Sequence, residues 1–137
     1  MPGRGRPPAL RLVRLGNPVV RAILRSRLHP ALSARLLVLS YRGHRSGRAF
    51  DIPLRYAETA ERHLVVLAVG PEQKLWWRSF AVATEASVTL RGRERAVVGA
   101  LANGPTRAEA LGAYLARYPR SASFARDAAV VILVPSG

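Results

Sequence analysis

The stretch Arg35-Leu36-Leu37-Val38-Leu39-Ser40-Tyr41, followed by Gly43-His44-Arg45-Ser46-Gly47-Arg48 and then Ala49-Phe50-Asp51-Ile52-Pro53-Leu54-Arg55-Tyr56, decides how this chain folds. The first segment is a short apolar run of strand length, the second is a glycine-punctuated polar turn, and in the third Phe50, Ile52, Leu54 and Tyr56 alternate with their neighbours. Together they read as strand, turn, strand. Pro53 has no amide hydrogen to give to a ladder, so the second strand should lie at an edge or carry a bulge there.

Outward from this hairpin the same pattern repeats. His63–Val69 is a third strand, Ala86–Leu90 a fourth, Glu94–Ala100 a fifth and Ala129–Val134 a sixth, with Gly92 and Arg93 as the tight turn between the fourth and fifth. A helix is expected over about Glu72–Val82, with Trp76, Trp77 and Phe80 on its apolar side. A second is expected to open at Thr106, with Glu109 closing a capping box, and to stop at Pro119 after Leu111, Tyr114, Leu115 and Tyr118. Asn17-Pro18 is a helix start, and Val19, Val20, Ile23, Leu24 and Leu28 share one face with Arg21 and Arg25 opposite. The expected fold is therefore α+β and mainly β. It is a small split β-barrel of about six antiparallel strands with an N-terminal helix and two interspersed helices.

At 137 residues one core suffices, and residues 16–137 are read as a single domain behind a flexible basic arm, residues 1–15. The chain has no cysteine, which excludes disulfides, thiol nucleophiles and cysteine-held metals, and its three histidines supply a metal site poorly. Net charge is +14, and Lys74 is the only lysine among 22 cationic side chains. Such a field favours an anionic partner: nucleic acid, a membrane surface or a polyanionic small molecule. No run is long and apolar enough to cross a bilayer, and arginines interrupt any signal-like core, which points to a cytoplasmic protein. Seven arginines within the first 27 residues leave open peripheral membrane association through the N-terminal basic helix. Arg91, Arg93 and Arg95 suit a nucleic-acid surface, but the strands lack interleaved aromatics for stacking bases, so no nucleic-acid partner is expected.

Two segments carry chemistry. In Gly43–Arg48 the glycines let backbone approach an anion, Ser46 adds a donor, and the arginines offer planar forks for phosphate or carboxylate. In Lys74-Leu75-Trp76-Trp77-Arg78-Ser79-Phe80, adjacent tryptophans cannot face the same way, so one should pack in the core and the other border a groove. No acid, base or nucleophile constellation emerges.

A Gly-x-Arg-Ser-Gly loop between strands, a following Pro-Leu and a Lys-x-Trp-Trp-Arg helix, in this order, resemble the deazaflavin-dependent nitroreductase family over roughly residues 17–135. The resemblance implies a split barrel binding coenzyme F420, a deazaflavin with a phosphate and a polyglutamate tail. It implies a reductase passing hydride from the reduced coenzyme to an electron-poor small molecule such as a quinone, enone or nitro compound. Gly43, Arg45, Ser46 and Gly47 would hold the phosphate and acidic tail with Arg48 nearby, and Pro53 would border the ring system. Trp76 and Trp77 match the family's aromatic pair, and Lys74 matches its lysine. His44 stands where Arg or Lys is common, Ser79 where Asn is common, and Phe50 where another Arg can occur. Tyr118, Ser121 and Phe124 occupy the positions of a Tyr-x-x-Tyr-x-x-Tyr pattern on the substrate side. The alternatives are FMN in place of F420, a lipid- or flavin-binding barrel without turnover, and, ranked last, a nucleic-acid-binding basic barrel.

Overall fold

The computed structural model describes residues 35–69 and 75–136. The N-terminal arm, the helix expected over Asn17–Leu28, the first residues of the helix expected from Glu72, and Lys74 lie outside them. Six strands, β1 (Leu36–Arg42), β2 (Ala49–Glu58), β3 (Leu64–Ala68), β4 (Thr84–Leu90), β5 (Arg93–Leu101) and β6 (Ala129–Pro135), close an antiparallel barrel in the order β1-β2-β3-β6-β5-β4. Helix α1 (Gly104–Arg117) and the four-residue α2 (Ala122–Ala125) lie between β5 and β6.

Two apolar clusters explain which strands alternate and which do not. Leu37, Leu39 and Tyr41 of β1, Leu54 and Tyr56 of β2, Val88 and Val97 point into the barrel, where Phe80 and Trp76 plug one end. A second cluster joins Tyr114, Tyr118 and Ala110 of α1 and its exit to Ala57, Val65, Leu67 and Val130 on the barrel's outer wall. Strand β3 is consequently apolar at every position, because one face meets the interior and the other meets the helix layer. Val38 and Ser40 on the outer face of β1, and Ser87 and Thr89 beside the inward Val88 of β4, are buried as well, so these strands do not alternate either.

Pro53 sits opposite Val38 in β2. The Tyr56 amide donates to the Arg35 carbonyl, so even-numbered β2 amides face β1 and the missing Pro53 donor faces the other side. There β3 pairs only with Tyr56–Glu58 among the described residues. Pro53 thus occupies a local edge inside a closed barrel.

Three expectations are corrected. The described part of the helix placed over Glu72–Val82 is a 3-10 helix, Trp76–Phe80, whose three-residue turn brings Trp76, Ser79 and Phe80 to one buried side. Helix α1 starts at Gly104, not Thr106. Its N-cap Asn103 makes no side-chain capping bond, and Pro105 in the first turn, which has no amide to satisfy, sets the start that the capping-box reading missed. The β4–β5 turn is Arg91-Gly92 rather than Gly92-Arg93, because both have positive φ (55° and 78°), as a two-residue hairpin matching strand twist requires, and Arg93 already pairs with Leu90.

Candidate functional site

The two chemical segments of the sequence, 35 residues apart, meet at one end of the barrel. The His44 amide donates to Ser79 Oγ at 3.1 Å, and His44 Nδ1 lies 3.1 Å from the same oxygen. A neutral His44 with its proton on Nε2 satisfies both contacts, the Ser79 hydroxyl donating to Nδ1. Ser79 is buried, and Thr84 Oγ1 donates to its carbonyl at 3.0 Å, so the 3-10 helix is fixed at the point where it grips the loop.

The loop is folded by its own bonds. The Gly43 amide donates to the Arg48 carbonyl (2.8 Å), the Gly47 amide to the Gly43 carbonyl (3.0 Å) and Arg42 Nη1 to the Gly47 carbonyl (2.9 Å). The Arg48 amide donates to Ser46 Oγ at 3.2 Å. Gly47 has φ +72° with open space around it, a conformation in which most side chains are strained. The amides of Arg45 and Ser46 make no hydrogen bond among the described residues, and neither Arg45 nor Arg48 has a carboxylate partner there. Two open amides beside two exposed guanidinium groups form a cradle for an oxyanion.

Trp76 and Trp77 divide as expected. Trp76 is 8% exposed, meeting Phe80 edge-on at 6.0 Å and Tyr41 at 6.5 Å, while Trp77 is half-buried. Among the described residues the buried Trp76 Nε1 has no acceptor. Trp77 walls a cleft of about 450 Å³ that is also lined by Ala68, Asn103, Arg107 and Arg126. Phe50 stacks on Tyr41 at 5.6 Å, with the Arg48 guanidinium 5.6 Å from its ring, and so ties the loop to the plug of the barrel.

The remaining sequence candidates lie elsewhere. Tyr118 and Ser121 are buried between the outer wall and α1, the Tyr118 hydroxyl donating to the Tyr56 carbonyl, whereas Phe124 is 44% exposed. They are joined by a residue that sequence reasoning passed over, Arg55, whose guanidinium lies 4.3 Å from the Tyr118 ring centre. Gly99 was missed too: Phe80 Cδ1 and Cε1 stand 2.6 and 2.7 Å from where its Cβ would be. Nothing in a sequence as rich in arginine and alanine marks either residue.

Among the described residues no group of side chains can hold a metal ion. Among these residues, the amide cradle, guanidinium groups without a carboxylate partner, an indole N–H without an acceptor and a half-buried tryptophan at a cleft instead fit an extended anionic, ring-bearing ligand. Residues 20–135 match the model of the F420H(2)-dependent quinone reductase family. The chain belongs to that family. It is an F420-dependent oxidoreductase by that membership, and its coenzyme is F420.

Solved structures agree on the fold. An F420-H2 dependent reductase, FDR-A, superposes with TM-score 0.59 at 17% identity, over 72% of this chain and 93% of its own. A protein described as a domain-swapped dimer gives 0.59 at 16%, over 72% and 79%. Atu2129 from Agrobacterium tumefaciens, of unknown function, gives 0.58 at 22%, over 90% of this chain and 57% of its own. No curated protein matches. No described helix is long and apolar enough to cross a membrane.

Proposed function

We propose that this quinone reductase passes hydride from reduced F420 to a small electron-poor acceptor, a quinone foremost and an enone or nitro compound by the same chemistry. When bound, the reduced coenzyme supplies the hydride. The protein's part is to bind, orient and exclude water. Gly43, Arg45, Ser46, Gly47 and Arg48 hold the phosphate and acidic tail, and His44 and Ser79 keep the cradle in register with the tryptophan pair. Pro53 and Trp77 flank the ring system, Trp76 anchors the aromatic pair from the core, and Lys74 contributes a positive charge toward the acidic coenzyme. Tyr118, Ser121 and Phe124 belong to the acceptor side. With the Tyr118 hydroxyl engaged by the Tyr56 carbonyl, solvent is the simpler proton source for the reduced acceptor.

The observation that carries this reading is the Ser79 clasp, which joins an anion cradle to a tryptophan pair. The test is titration of oxidised F420 with protein, followed by visible absorbance and fluorescence, with FMN in parallel. F420 should saturate. Arg45→Ala should weaken binding roughly 10- to 150-fold, the range for a charge-assisted contact. A response to FMN alone would overturn the coenzyme assignment of this site, and unchanged affinity in Arg45→Ala would remove the loop from it.

A further inference from the structure

We propose that Arg55 is a specificity-determining residue that seats a negatively charged oxygen group of the electron acceptor, a carboxylate or a phosphate ester; this rests on the acceptor-side reading of Tyr118 and Ser121. An arginine side chain keeps its charge at any ordinary pH. Among the described residues Arg55 nevertheless meets only neutral groups: Nε donates to Tyr114 Oη at 3.2 Å, and Nη2 donates to Ser121 Oγ at 2.9 Å. Its guanidinium carbon lies 4.3 Å from the Tyr118 ring centre and 5.9 Å from that of Tyr114. All three partners are buried, at 4% exposure for Tyr114, 7% for Tyr118 and 2% for Ser121.

One edge of the guanidinium is therefore fixed to the helix layer. Nη1 has no partner among the described residues, and Arg55 as a whole is exposed. Its planar fork, already oriented, loses little freedom when it takes a two-oxygen anion. The Arg117 guanidinium, 5.7 Å from the same Tyr118 ring, adds to the positive field.

Arg55 also stands where an acceptor has to be. Pro53 and Arg55 share the outer face of β2, two residues and about 7 Å apart. On the reading above Pro53 borders the redox ring, so a flat acceptor lying on that ring reaches Arg55 with a substituent.

The decisive measurement is kcat/KM for a naphthoquinone carboxylate against its methyl ester, in the wild type, Arg55→Gln and Arg55→Lys. The wild type should prefer the carboxylate. Arg55→Gln should shrink that preference roughly 10- to 150-fold, and Arg55→Lys should keep part of it, since the charge stays and the fork is lost. A purely packing role would shift the melting temperature of both variants and leave the ratio where it was; an unchanged ratio overturns the proposal.

Calorimetry without coenzyme separates this outcome from failure of the reductase reading. Naphthoate and naphthyl phosphate should bind the wild type and lose affinity in Arg55→Gln even if no quinone is reduced. If both bind, the tighter of the two names the acceptor's charged group. Absence of binding in the wild type overturns the seat. Should Arg55→Gln fail to fold, Arg55→Lys carries the same comparison.

Discussion

Two glycines serve the candidate site for opposite reasons. At Gly99 the obstacle is space: Phe80, fully buried, fills the volume a Cβ would need and thereby holds the 3-10 helix on β5. Gly99→Ala should cost about 1 to 3 kcal/mol of stability, as overpacked cores do, read as a lower urea midpoint at unchanged slope. At Gly47 there is open space and the obstacle is backbone conformation. Gly47→Val should cost at least about 1 to 2 kcal/mol and should weaken F420 binding as well, because relief of the strain reshapes the cradle. If Gly47→Val melted and bound like the wild type, the positive φ would have no part in the site.

At the scale of elements the loop and the 3-10 helix work as one unit joined through a single hydroxyl. Ser79→Ala removes both contacts to His44, and a loss of about 1 kcal/mol is expected, with a weakening of F420 binding that Arg45→Ala should not add to fully, since both act on one loop. Trp76→Ala should cost about 3 to 5 kcal/mol, whereas Trp77→Ala should spare stability and reduce binding. Equal melting of the two tryptophan variants would contradict the division of the pair. The strands and the glycine loop were legible because alternation and glycine placement are local signals. The helix over Glu72–Val82 was not, because Trp76, Trp77 and Phe80 fit a three-residue turn as well as a 3.6-residue one. The start of α1 misled because a genuine-looking capping box lay two residues inside it. Arg55 and Gly99 were invisible for a different reason: each owes its role to residues 59, 66 and 19 positions away, Tyr114, Ser121 and Phe80, and no local pattern reports such contacts.

Across the whole molecule the charge is carried almost entirely by arginines, which do not titrate, so the alkaline limit of stability falls to the buried phenols. Burial raises the Tyr41 pKa, and it raises that of Tyr56 against the opposing pull of Arg91. The unfolded chain loses these protons near the ordinary phenol value of about 10, while the folded barrel holds them to higher pH. The folded state therefore binds more protons than the unfolded state above that value. Stability from this source is complete below pH about 10 and is lost as pH rises from there through the folded pKa values. Tyr41→Phe keeps the stack on Phe50 and the contacts with Trp76 and Phe80 while removing one titrating group. Urea midpoints measured from pH 8 to 11.5 should run parallel for wild type and variant up to about pH 10 and then diverge, the variant declining less steeply. Parallel curves above pH 10 would mean that Tyr41 does not govern the alkaline limb.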